Sequence, residues 1–181
     1  VDTVLNETQL RGVLVGAPLT DIKITLLTGR SHPKHTEGGD FREATLRALR
    51  QGLMSTRSVL LEPFYAYRLS VPSASAGRAI HDLQMRHAEF VQETDDSGFA
   101  VFTGRAPVAK LSGYAKEVAA YSGGNGSFSC VYDGDGECEN SDEVITEYGY
   151  KPEADIQLPP HSVFCAHGAG FVVPWNKVRE Y

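Results

Sequence analysis

Cysteine is scarce in this chain. Three cysteines among 181 residues are an odd number that builds no disulfide framework, and they suit a reducing cytoplasm. Long apolar runs are missing too: no stretch approaches the roughly 20 residues needed to cross a bilayer. Residues 1–8 are polar and acidic and carry no apolar segment of a secretory signal, so no membrane partner is expected. No GxxxxGK[ST] phosphate loop occurs, so these residues do not themselves hydrolyse a nucleoside triphosphate. Positive net charge is also lacking. The chain carries −6 at pH 7, with 17 Lys and Arg against 23 Asp and Glu, which argues against a general nucleic-acid binder. What is present is ordinary for a globular chain: 41% hydrophobic and 22% charged residues, long enough for one domain or two small ones.

Charge distribution says more than the sum. Arg30, Lys34 and the titratable His32 and His35 crowd one loop, and Arg42, Arg47, Arg50 and Arg57 follow on or just beyond the next helix. Acidic residues gather at 93–96 and 133–143. Exposed charges more than about 8–10 Å apart are largely screened from each other, so a locally basic projection on an acidic body can still contact phosphates.

Along the chain, residues 1–14 read as a helix with Val4, Leu5, Leu10 and Val13 or Leu14 inward, ended by Gly16, Ala17 and Pro18. Residues 21–26 alternate polar and apolar, the period of a half-buried strand. A polar loop, 29–39, leads to Asp40, whose carboxylate can cap a helix. Phe41, Ala44, Thr45, Ala48, Leu49 and Gly52 then recur at helical spacing.

A second unit begins near Phe64. Tyr65, Tyr67, Leu69 and Val71 alternate as in a strand, Ser73 opens a helix through Ala76, Ile80, Leu83 and Met85, and residues 87–93 form a second strand. Asp95, Asp96, Ser97 and Gly98 make a hairpin turn before a strand at 99–104. Pro107 suits the first turn of a helix through Leu111, Tyr114 and Val118, and residues 127–132 are a fourth strand. The order βαββαβ predicts an α+β fold, a ferredoxin-like sandwich with two helices on one face of an antiparallel sheet. Asp133 to Glu137 reads as loop, 142–147 as a short helix, 152–161 as extended and 175–181 as the start of a last helix.

Several residues carry candidate chemistry. Cys130, Cys138, Cys165 and His167 form a possible zinc (Zn) set, since thiolate and imidazole suit that metal, although the spacing matches no finger pattern. Cys130 can equally point inward from its strand as a small apolar group. Cys165 and His167 lack the orienting acid of a nucleophile pair. Asp133, Asp135 and Glu137 alternate as calcium ligands do, but the closing glutamate loop is absent. Gly123 to Gly126 lies between helix and strand, the reverse of a phosphate-binding placement, and reads as a helix stop. His81, His87 and His161 show no partner pattern, and Phe64, Tyr65 and Tyr67 read as core.

Ordered motifs then carry a likeness. The strand at 21–26, Gly29, His32 three positions later and Phe41 opening a helix, followed by Leu60-Leu61-Glu62-Pro63, resemble the end of the fourth domain of translation elongation factor G and its link to the fifth. Gly113-Tyr114-Ala115 and Gly126-Ser127-Phe128 resemble two signatures of that fifth domain. The same parts of the tetracycline-resistance ribosomal protection proteins are similar, and the likeness covers roughly residues 1–133.

The resemblance implies a partial fourth domain (ribosomal protein S5 domain 2-like, α/β) at 1–62 with its tip loop at 29–39, a ferredoxin-like fifth domain at 63–141 inserted in it, and an extension at 142–181 returning to the fourth. It implies a cytoplasmic, monomeric fragment of a translational GTPase whose GTP and Mg lie in another part of the parent, with no cofactor of its own. Its implied partners are ribosomal RNA in the small-subunit decoding region, through Arg30, Ser31, His32, Lys34 and His35, and in the large-subunit GTPase-associated centre, through Gly126 and Ser127. The tip lacks the aromatic or apolar residues of many protection proteins, whereas the tail after Asp133 is similar to that branch. An elongation factor G paralogue in translocation or recycling, and a metal-stabilised interaction domain, are the alternatives.

Overall fold

The computed structural model describes residues 1–31, 36–94 and 98–181. They divide into two compact units, one made of Val1–Val59 with Asn140–Tyr181 and the other of Leu60–Glu139.

The first unit opens with helix α1 (Asp2–Glu7), much shorter than the helix expected over 1–14. Thr8 turns extended, and the chain doubles back in a bridge between Arg11 and Pro18. The amide of Gly12 donates to the Ala17 carbonyl at 2.8 Å, and that of Leu19 to Leu10 at 3.0 Å. Gly16 makes the reversal with φ of 71°, and a Cβ there would sit 3.1 Å from the Tyr150 ring, so both conformation and space favour glycine.

Residues 21–26 form no strand. Alternation records which side chains face one way, but a strand also needs a neighbouring backbone to bond. Among the described residues none pairs with this segment. Helix α2 (Gly38–Ser55) begins two residues ahead of the expected cap, Asp40. Glu37 is the N-cap, and Asp40 is the third helical residue of a reciprocal capping box, accepting the Glu37 amide at 2.9 Å.

In the second unit strand β1 (Leu61–Pro72) leads through a short 3₁₀ turn to α3 (Ala76–Met85), then β2 (Glu89–Thr94) and β3 (Phe99–Pro107). The turn expected between them lies, Gly98 apart, outside the described residues. Helices α4 (Val108–Leu111) and α5 (Tyr114–Tyr121) follow, then β4 (Ser127–Glu137). Spatial strand order is β2-β3-β1-β4, every pair antiparallel. This is the expected ferredoxin-like sandwich. Its core comprises Leu69, Val71, Leu83, Phe102, Tyr114 and Val118. Alternation in β1 and β3 places their side chains on one face, toward α3 and α5.

Two expectations fail here in detail. The helix expected through 108–118 is broken, because Gly113 takes φ of 76° and restarts it as α5. The chain after Tyr132 is strand, not loop, as far as Glu137. A register shift between Pro63 and Tyr65 and φ of 79° at Gly134 mark the bulge that keeps it paired. Gly136 lies under the Phe64 ring, where a Cβ would come within 2.7 Å. Glycine and acid there look like a turn in sequence, yet serve close approach.

The first unit resumes with α6 (Ser141–Tyr148), a 3₁₀ turn at Pro152–Ala154, and the hairpin β5 (Ser162–Ala166) and β6 (Ala169–Val173). His167 and Gly168 both have positive φ, as the tightest hairpin turns require. Residues 175–181 form a single 3₁₀ turn, Val178–Glu180. Arg50, 2% exposed, ties this part of the chain to the first. Its Nη1 donates to the carbonyls of Arg11 at 2.8 Å and Gly12 at 3.3 Å, and its Nη2 to the Tyr150 hydroxyl. That hydroxyl donates to Asp155 Oδ2 at 2.6 Å, and Arg50 Nη2 is 3.7 Å from the same oxygen. Burial pushes the Asp155 carboxyl up. Hydrogen bonds from Tyr150, Leu158 and Gln157, together with the charge of Arg50, outweigh that and hold it below its ordinary 3.8.

Candidate functional site

The basic loop and the helix after it form the first candidate. Arg30 and Ser31 are exposed, and Arg30 has no ion pair among the described residues. His32, Lys34 and His35 lie outside the described residues. Downstream the expected basic face is thinner than its arginine count. Arg42 pairs with Glu7 at 3.2 Å. Arg47 pairs with Glu43 at 3.1 Å and donates to the His161 carbonyl. Arg50 is buried in the network above. The planar guanidinium finds several acceptors at once wherever the fold offers them, so arginines near a loop need not face its ligand. Of these four, Arg57 alone is exposed without an ion pair among the described residues.

Ile22, Ile24 and Leu26 face the α2 positions Phe41, Ala48 and Leu49 across a groove of about 640 Å³ that also takes in Arg30. Lys23 and Thr25 line the same groove, so the segment is not sorted into two faces by alternate residues. Leu26 is 64% exposed and Leu27 89%, so this side of the unit is apolar and open.

In the second unit Gly126 and Ser127 open β4. Gly126 is half-buried and donates its amide to Ser122 Oγ at 2.8 Å. A Cβ there would lie 2.8 Å from both Ser122 Oγ and Val118 Cγ1. Its glycine is explained by close packing against α5, and the exposed residue of the pair is Ser127. Arg30 and Ser31 belong to one unit, Gly126 and Ser127 to the other.

The four residues of the zinc set are divided between the units. Cys130 and Cys138 are in the second unit, Cys165 and His167 in the first. Among the described residues no group of three or more His, Cys, Asp or Glu is placed to hold a metal ion. Cys138 is buried, whereas Cys130 is exposed on β4 at the sheet edge, so the inward alternative for it does not hold. The calcium alternative fails likewise. Asp133 Oδ2 is 3.0 Å from Arg105 Nε, and Asp135 Oδ1 accepts the Tyr132 hydroxyl at 3.1 Å.

Sequence reasoning missed one polar site altogether. Asp82, 7% exposed, holds Arg78 Nε with Oδ1 at 2.8 Å, while its Oδ2 is buried without a hydrogen-bond partner among the described residues. It lines a pocket of about 370 Å³ with Met85, Arg86, Ala109, Lys110 and Ser112. Arg86 lies 4.4 Å over the Tyr114 ring, and donates to the Lys110 carbonyl and to Glu117 Oε1. The four-residue spacing of Arg78 and Asp82 is the one trace of this in sequence.

Residues 1–57 match the family described as Elongation factor G, domain IV, and residues 59–144 match Elongation factor G C-terminus. A crystal structure from Thermus thermophilus is similar at 23% identity, covering 54% of this chain and 15% of that one, with a TM-score of 0.49. The chain thus spans less than a sixth of that relative. The two matched stretches adjoin in the order of those domains and leave only residues 58 and 145–181 outside them. The chain belongs to the elongation factor G family, of which it carries the fourth-domain and C-terminal regions.

Proposed function

We propose that this chain is the ribosome-contacting part of a translational GTPase, most like the tetracycline-resistance ribosomal protection proteins. The observation that carries the reading is the ordered match of both family regions across residues 1–144. The loop around Arg30 and Ser31, with His32, Lys34 and His35, contacts ribosomal RNA in the decoding region of the small subunit. The ferredoxin-like unit, with Ser127 beside Gly126, meets large-subunit RNA at the GTPase-associated centre. GTP and Mg act in another part of the parent, and the protein works in the cytoplasm as a monomer. Arg30, exposed and without an ion pair among the described residues, supports the first contact, because a guanidinium free of internal acids can take phosphate.

The tail after Asp133, similar to that branch, favours the protection type. The polar Arg30-Ser31 start of the tip favours the second reading, an elongation factor G paralogue in translocation or recycling. Cell-free translation at inhibitory tetracycline, with the parent protein present, separates them. GTP-dependent rescue is expected for a protection protein. Ribosome-stimulated GTP hydrolysis without rescue assigns the paralogue role. Neither, with an active ribosome control, rejects both.

A further inference from the structure

The corner between α5 and β4 carries the dipeptide Asn125-Gly126. Asparagine before glycine is prone to lose its side-chain amide, because no Cβ on the second residue shields the backbone nitrogen that attacks. The fold requires that glycine. A Cβ at 126 would lie 2.8 Å from both Ser122 Oγ and Val118 Cγ1, so a larger residue would push the end of α5 away from β4. Asn125 itself is exposed, so water reaches its side chain.

One residue holds the reaction off. Ser122 is 7% exposed, and its Oγ accepts the Gly126 amide at 2.8 Å. The same hydroxyl donates to the Val118 carbonyl at 2.6 Å, which fixes its direction. The Ser122 carbonyl accepts Asn125 Nδ2 at 3.3 Å and the Asn125 amide at 3.2 Å. The attacking nitrogen therefore has its proton engaged, and the side-chain amide is anchored through its leaving nitrogen. The side chain that makes glycine necessary at 126 also restrains what that glycine permits.

We propose that Asn125 is a deamidation site latched by Ser122, and that its conversion weakens the RNA contact of Gly126 and Ser127. The Gly126 nitrogen gives up its proton to solvent and attacks Asn125 Cγ. The new N–Cγ bond forms, the Cγ–Nδ2 bond breaks, and ammonia leaves with a proton taken from solvent. Water then opens the succinimide ring at either carbonyl. The products are aspartate and, with one methylene added to the main chain, isoaspartate. Either puts a carboxylate within two positions of Ser127, where it repels phosphate. The rate follows local opening of this corner rather than global unfolding. The latch stands on the geometry alone, and the effect on RNA contact rests on the ribosome-contacting reading.

The test follows Asn125 conversion by mass spectrometry, in the 181-residue chain and in a peptide of residues 121–129 in the same mildly alkaline buffer. The folded chain should convert about thirtyfold more slowly, since two hydrogen bonds of about 1 kcal/mol each must open first. Ser122→Ala, with folding checked by circular dichroism, should convert about fivefold faster than wild type, the worth of the Gly126 bond. Equal rates in chain and peptide overturn the latch whether or not that variant folds. A folded Ser122→Ala chain that converts no faster than wild type overturns it too. Asn125→Asp should pellet less with purified ribosomes than wild type at low salt, with the difference closing as salt rises. Equal pelleting overturns the effect on RNA contact and leaves the proposed function standing. Failure of the unaltered chain to pellet overturns the underlying reading, while the conversion rates still decide the latch.

Discussion

Replacing Arg50 should unfold the first unit at far milder conditions. Its guanidinium is 2% exposed and serves two backbone carbonyls, a hydroxyl and a carboxylate. Arg50→Ala strands all four. Removing one partner of a buried ion pair costs about 3–5 kcal/mol, mostly for the charge left behind. In a unit of about 100 residues, each kcal/mol moves the midpoint by about 4–8 °C, so a fall of at least about 12 °C is expected. The assay is built in. Trp175 is the single tryptophan, lies in the same unit and donates through Nε1 to Glu153 Oε1 at 2.9 Å. Its fluorescence therefore follows this unit. Arg50→Lys keeps the charge but loses the fork that reaches Arg11, Gly12 and Tyr150 together, so it should fall between wild type and alanine. A loss below about 1 kcal/mol for Arg50→Ala, the scale of a solvent-exposed pair, would refute the argument that this cation holds the two halves of the unit together.

Other expectations follow from the same physics. Asp155 has its carboxyl held below 3.8, so its contribution is complete above that value and is lost as pH falls through the lower folded value. The stability gap between wild type and Asp155→Asn, read by Trp175 fluorescence, should therefore be constant near neutrality and close only in acid. Gly104→Ala would put a Cβ 1.8 Å from the Glu89 carbonyl oxygen and 2.9 Å from Phe90 Cα. The β2–β3 ladder must shift, and a loss at or above the usual 1–3 kcal/mol, roughly, of overpacking is expected in urea unfolding followed by circular dichroism. Arg30→Ala should weaken pelleting with ribosomes and flatten its salt dependence, while leaving thermal stability within about 0.5 kcal/mol. Unchanged pelleting would remove Arg30 from the interface.

The ferredoxin-like unit was legible because its signals are local. Alternation in β1 and β3, the helical spacing through Ala76, Ile80 and Leu83, and the breaks at Ser73 and Gly98 each point to one element, and their order leaves few topologies. The family motifs are legible for the same reason. What failed depends on partners distant in sequence. Residues 21–26 carry a strand's period, but no neighbour among the described residues supplies a ladder, and polar Lys23 and Thr25 line the α2 groove along with the apolar residues. Residues 133–137 look like a turn until Phe64 and Arg105 are placed against them.

Arginines show the limit most clearly. Arg42, Arg47, Arg50 and Arg57 look alike in sequence, spaced along or just past one helix behind a basic loop. The fates of the first three are set by Glu7, by the carbonyl of His161, and by Tyr150 and Asp155, the last two about a hundred positions away. Counting basic residues near a motif therefore overstates the charge available to a phosphate. Arg30 and Arg57 are the ones to which the described structure gives no competing acid, and salt dependence of ribosome binding should track those two residues rather than the full set. Should Arg42→Ala flatten the salt slope as strongly as Arg30→Ala, its pairing with Glu7 must open on the ribosome, and exposed ion pairs on this face would have to be counted as part of the interface.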